Sequence, residues 1–143
     1  MSNDEKETVS QQVSQGDFHL RDVILLANGT KAEFPITLTV GGMLISGLLT
    51  GGKRYFEEFA ETMANAHGTA ETSEQLREFF SRRTKIYDAP EEGEPPVPLA
   101  YVHLREARFF VPGAQPVPSS GGVLWRGRLS QVDGFHLGML TVG

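Results

Sequence analysis

Between Phe34 and Leu49 apolar and polar side chains alternate on either side of a glycine pair, and that pattern leaves few folds open. Phe34, Ile36, Leu38 and Val40 fall on one face of an extended segment and Thr37 and Thr39 on the other, because successive strand side chains point to opposite sides. Gly41-Gly42 supplies a two-residue turn tolerant of positive φ, and Met43 to Leu49 returns beside the first strand as a hairpin. Met43, Ile45 and Leu49 continue the inner face, yet Leu44 and Leu48 make the opposite face apolar too. Such a hairpin needs cover on both sides.

A second element organises the other end of the chain. Val123 to Leu140 contains two apolar runs, the only tryptophan, and glycines at tight points, and it reads as two short strands. Val123, Trp125 and Leu129 share a face with Gly127 between them, while Arg126 and Arg128 point the other way. The pattern resumes through Val132, Phe135, Leu137 and Met139, with a phase shift at Asp133-Gly134 that marks a bulge or tight bend.

The remaining segments follow in order. Met1 to Gln15 is polar and reads, with Gly16, as a disordered tail ahead of a single domain over 17–143. Asp17 is an N-cap and Asn28-Gly29 a stop for a helix with the stripe Leu20, Val23, Ile24 and Ala27. Lys53 to Ala66 repeats Phe56, Phe59, Ala60 and Met63 at helical spacing, and Tyr55, Phe56 and Phe59 are expected to pack over the hairpin at Leu44 and Leu48. Thr69 to Lys85 reads as a second helix with Leu76, Phe79 and Phe80 buried, so that a helical insertion spans about 52–85. An acidic, proline-rich connection, Tyr87 to Pro98, precedes a strand over Leu99 to Val111 whose phase slips near Glu106. Pro112 to Gly122 is a long irregular loop. The fold class is therefore mainly β with added helices: a five-stranded, strongly bent antiparallel barrel with an amino-terminal helix and an insertion between strands two and three.

Composition limits the chemistry. The 143 residues suit one domain, and no apolar run approaches the roughly 20 residues of a membrane span, so a cytoplasmic protein without membrane association is expected. The absence of cysteine removes disulfides, thiol nucleophiles and thiolate metal sites. A net charge of −5 opposes general attraction to nucleic acid, although a local basic patch can override it.

Two blocks carry a fold-level resemblance. Ile36 to Leu49 resembles the first Sm motif, and Val-Leu-Trp-Arg-Gly-Arg-Leu at 123–129 resembles the short second one with its Arg126-Gly127 pair. Where RNA-binding Sm proteins place aspartate and asparagine after the second strand, this chain has Gly51, Gly52, Lys53 and Arg54. A broader resemblance rests on Ile-Ser-Gly at 45–47, Tyr-Phe-Glu-Glu-Phe at 55–59, Tyr-Val-His-Leu-Arg-Glu-Ala at 101–107 and Trp-Arg-Gly-Arg-Leu-Ser-Gln-Val-Asp-Gly-Phe-His-Leu-Gly at 125–138. This order is similar to that of the gas vesicle accessory protein U family. The resemblance implies a small cytosolic accessory protein, not the shell former, with a role in organising or clustering vesicles and no catalytic motif. Sm-like kinship implies association through the open edges of the fourth and fifth strands.

The residues themselves specify no reaction. His19, His67, His103 and His136 lack any short metal-ligand spacing, and Ser46 or Ser130 with a histidine and Asp133 lacks a nucleophile elbow. Neither a catalytic residue, a metal ligand nor a cofactor site is assigned. Asp133-Gly134 reads as a turn, and Gly47, Trp125 and Gly127 join them as structural residues. Arg105, Arg108, Arg126 and Arg128 form a candidate partner surface if the last strands adjoin the third. The blander reading is a solvated face paired with Glu106 and the acidic connection. The partners expected are other copies of the chain and gas vesicle shell proteins, with single-stranded RNA as the alternative.

Overall fold

A computed structural model describes residues 17–66, 68–95 and 99–141. The expected disordered tail and His67 lie outside the described residues. The elements are α1 (Phe18–Gly29), β1 (Phe34–Val40), β2 (Met43–Thr50), α2 (Gly52–Asn65), α3 (Ala70–Ser81), a 3-10 segment (Arg82–Tyr87), β3 (Tyr101–Phe110), β4 (Val123–Arg128), a 3-10 turn (Leu129–Gln131) and β5 (Gly134–Leu137).

The strands form one antiparallel sheet in the order β4-β3-β2-β1-β5. The barrel expected from the sequence is not closed: β4 and β5 lie at opposite edges and make no ladder with each other. Cover by a helix replaces closure. Leu20, Ile24 and Ala27 of α1 pack with Ile36, Leu38, Ile45, Leu49, Val102, Leu104, Ala107 and Leu129, so the apolar face is removed from water without joining the edges. Asp17 caps α1 by accepting from the His19 amide at 3.0 Å. At the other end the Thr30 hydroxyl donates to the Leu26 carbonyl at 2.7 Å, and Asn28 Oδ1 accepts from the Gly52 amide at 3.0 Å, tying α1 to the start of α2.

The hairpin register pairs Val40 with Met43 across a turn in which Gly41 and Gly42 have φ of 57° and 83°. The phase slip near Glu106 is a bulge: Glu106 has φ 54°, and the β2–β3 register shifts between Ser46 and Leu48. Gly47 stands against this bulge, where an added Cβ would be 2.8 Å from the Arg105 carbonyl oxygen and 3.1 Å from the Ala107 Cα. The absence of a side chain there lets the bulged backbone approach, and the bulge returns Ala107 to the core and Arg108 to the opposite face.

That opposite face is divided between two covers. Thr37 and Ser46, which alternation alone places toward solvent, are fully buried because the segment after β5 crosses them. The Thr37 hydroxyl donates to the Gly138 carbonyl at 2.8 Å, the Leu140 amide donates to Ser46 Oγ at 2.7 Å, and the two hydroxyls bond to each other at 3.1 Å. The insertion covers the other part, and the ring contacts of Tyr55 and Phe56 are made to His103 of β3 and, for Phe56, to Tyr87. One boundary and one burial differ from the sequence reading. The second insertion helix ends at Ser81, where the Thr84 hydroxyl donates to the Ser81 carbonyl and the chain tightens into a 3-10 segment. Phe79, expected on the buried side, is 51% exposed, while Phe80 packs edge-on against Phe59 with ring centroids 5.0 Å apart.

Candidate interaction surface

The four arginines come from β3 and β4, and the bulge decides what each can reach. Arg105 enters a partly buried ion-pair network: its Nε and Nη2 donate to the two Glu33 carboxylate oxygens at 2.6 and 2.9 Å, and Nη1 donates to Glu58 at 3.4 Å. The Arg105 hydrogen bond holds the Glu33 carboxyl below its ordinary range, against the opposing effect of burial, with the Arg54 charge assisting from 3.7 Å. Glu33 and Glu58 in turn raise the Arg105 guanidinium further above its usual value. Arg105 therefore staples the insertion and the segment before β1 to β3.

Arg108 is held by the long loop. Its Nε donates to the Pro118 carbonyl at 3.1 Å and Nη2 to the Ser119 carbonyl at 2.8 Å, and its guanidinium lies 5.7 Å from the Phe110 ring centre. The same loop pairs with the strand through reciprocal Phe109–Val117 backbone bonds of 2.7 and 2.9 Å.

Arg126 belongs to a different cluster. It stands opposite His103 in the β3–β4 ladder, and its guanidinium stacks 3.5 Å from the Tyr101 ring centre while Nε donates to His103 Nε2 at 3.2 Å. Tyr55, Phe56 and Tyr87 complete the surroundings of His103, at ring separations of 4.7, 5.9 and 5.8 Å. Burial first, and the Arg126 charge second, lower the His103 pKa from 6.5 to about 3, so the imidazole is neutral at pH 7 and accepts at Nε2. Burial likewise raises the Tyr55 and Tyr87 phenols. Arg128 pairs across from Tyr101, is exposed, and makes no ion pair or side-chain hydrogen bond among the described residues.

The structure thus gathers Arg126 and Arg128 on the open β4 edge and withdraws Arg105 and Arg108 into internal contacts. The structural residues are also distributed. Trp125 lies over Gly127 on the core side of β4. Asp133 binds the hairpin turn, its backbone amide donating to the Thr39 carbonyl at 2.8 Å and its carboxylate accepting from the Gly41 amide at 2.9 Å. Gly134 pairs with Thr39, with open space where its Cβ would be. Sequence reasoning did not find Glu33, Glu58, Tyr87 or the role of His103, because no spacing rule joins residues that meet only when the insertion folds back on β3.

The family model described as "Gas vesicle protein GvpU-like" matches residues 17–140. This chain belongs to the GvpU-like gas vesicle protein family. No curated protein and no solved structure matches it. The matched range takes in all five strands of this GvpU-like chain, the insertion and the arginine clusters alike. Among the described residues the GvpU-like fold holds no group of three or more His, Cys, Asp or Glu side chains placed for a metal ion, and no helix long and apolar enough to cross a membrane.

Proposed function

We propose that this chain is a non-enzymatic, cytoplasmic accessory protein that self-associates and binds or clusters gas vesicles. The observation that carries the reading is the family match over residues 17–140. The open edges support self-association. β4 and β5 each have one paired side, and Val123 and Leu137 on those strands are 42% and 67% exposed. The strand order, with a helix leading into β1, supports kinship with Sm-like domains, in which such edges pair between subunits. A repeating vesicle surface would bind several linked copies with avidity even if each contact were weak, and copies engaging two vesicles would bridge them. Of the four arginines on β3 and β4, Arg126 and Arg128 are the two available to such a partner, and the stacked Arg126 presents its charge from a fixed position.

RNA has no separate support, because Glu33, Glu58 and two backbone carbonyls already occupy Arg105 and Arg108. The test is co-sedimentation of the purified chain with purified gas vesicles, alongside vesicle clustering followed by light scattering. Binding that weakens on Arg126→Ala with Arg128→Ala is expected. A chain that stays in the unbound fraction at every vesicle concentration would remove the proposal.

A further inference from the structure

The far end of the insertion carries a surface that the edge strands do not explain. Phe79 on α3 and Ile86 on the 3-10 segment are 51% and 49% exposed. The Arg83 guanidinium lies 5.8 Å from the Phe79 ring centre, and the threefold repeat of the 3-10 segment sets Ile86 in line with Arg83. Arg82 and Lys85 flank this column. Among the described residues Arg82 pairs only with Glu78, 3.8 Å away, and Arg83 and Lys85 have no ion pair. A chain with a net charge of −5 therefore concentrates three cations around two exposed apolar side chains.

Its chemical complement lies a few residues further on. Glu91, Glu92 and Glu94 are exposed, and among the described residues no cation lies within ion-pair distance of them. The Glu94 amide donates to the Glu91 carbonyl at 3.0 Å and Gly93 has φ 89°, so the three carboxylates sit on one tight turn between Pro90 and Pro95. The loop is moored at its start, where Asp88 accepts from Lys53 Nζ at 3.2 Å. Three cations beside an exposed aromatic match three carboxylates flanked by prolines in charge and in apolar character, since proline-containing segments dock on aromatic surfaces. Among the described residues no ion pair joins the two features within one molecule.

We propose that the Phe79–Ile86 patch of one copy binds the Glu91–Glu94 turn of a second copy, resting on the self-association proposed above. The contact joins unlike surfaces, so two copies can exchange it reciprocally about a twofold axis or pass it head-to-tail along a chain. It is separate from any pairing of the β4 and β5 edges.

Charge exchange tests it in the full chain. The mass of the wild type is followed against concentration by analytical ultracentrifugation, beside Arg82→Glu/Arg83→Glu/Lys85→Glu and Glu91→Lys/Glu92→Lys/Glu94→Lys. Each reversal is expected to weaken self-association by about tenfold or more, because like charges then face each other. Mixing the two variants should restore it, which also shows that both are folded, and about 1 M salt should weaken the wild-type contact. Self-association unchanged by either reversal, or variants that fail to complement, would overturn the assignment. If Val123→Lys on β4 alone dissolves the assembly, self-association through the edges stands and this contact falls. A wild type that remains monomeric throughout overturns both.

Discussion

The indole of Trp125 fills the space where a Cβ on Gly127 would stand, with Cη2 2.3 Å and Cζ2 2.6 Å from that position. Two residues of one strand on one face are thus a single packing unit. Gly127 leaves the room for the ring that lies across it. Gly127→Val should displace the indole and cost about 1–3 kcal/mol, as overpacking does. Urea denaturation followed by Trp125 fluorescence measures both effects, and an unchanged midpoint with an unchanged native spectrum would show that the ring does not depend on the glycine.

Arg105 and Glu33 form the tightest link between the sheet and the segment before it, with two parallel hydrogen bonds. Arg105→Ala leaves a carboxylate whose side chain is 17% exposed without its main partner. The expected loss is about 2 kcal/mol, below that of a fully buried pair because both groups retain some contact with water. A double-mutant cycle with Glu33→Gln should show coupling of at least about 0.5 kcal/mol, and additive single effects would contradict the pairing.

His103 gives stability a pH dependence. The unfolded chain takes up a proton on this residue near pH 6.5, whereas the folded chain does so only at about pH 3, so acid favours the unfolded state throughout that interval. Stability should fall as pH drops from 6.5 toward 3, by up to about 1.4 kcal/mol per pH unit, and this residue adds no slope above that window. Glu33, held below 4.5, adds its own loss only under about pH 4.5, which leaves pH 6.5 to 5 to the histidine. Denaturation curves at pH 7, 6 and 5 for the wild type and His103→Gln check the assignment: the substitution should flatten that part of the profile.

Asp133 joins the start of β5 to the turn of the hairpin through the Gly41 amide. Asp133→Ala should cost about 1 kcal/mol, the usual worth of one such bond. Hydrogen exchange at Gly41 is the direct readout. Protection at that amide should drop while the β1–β2 ladder amides keep theirs, and equal protection in both proteins would mean that the turn holds itself.

Local rules were enough to determine much of this protein. Alternation with Gly41-Gly42 fixes the hairpin, Asp17 and Asn28-Gly29 bound the first helix, and a broken phase at Glu106 marks the bulge, because each signal acts over a few neighbouring residues. The matched blocks from Ile45 to Gly138 were likewise readable as one family's order. Only the tertiary structure decided that the sheet stays open under α1, that Thr37 and Ser46 are buried by the segment after β5, and that Arg105 and Arg108 are withdrawn while Arg126 and Arg128 remain at an edge. Those outcomes depend on contacts between residues such as Arg105 and Glu33, 72 positions apart, or Ser46 and Leu140, 94 apart. Periodicity carries which way a side chain points along its own strand. It carries nothing about which distant segment will come to lie over it.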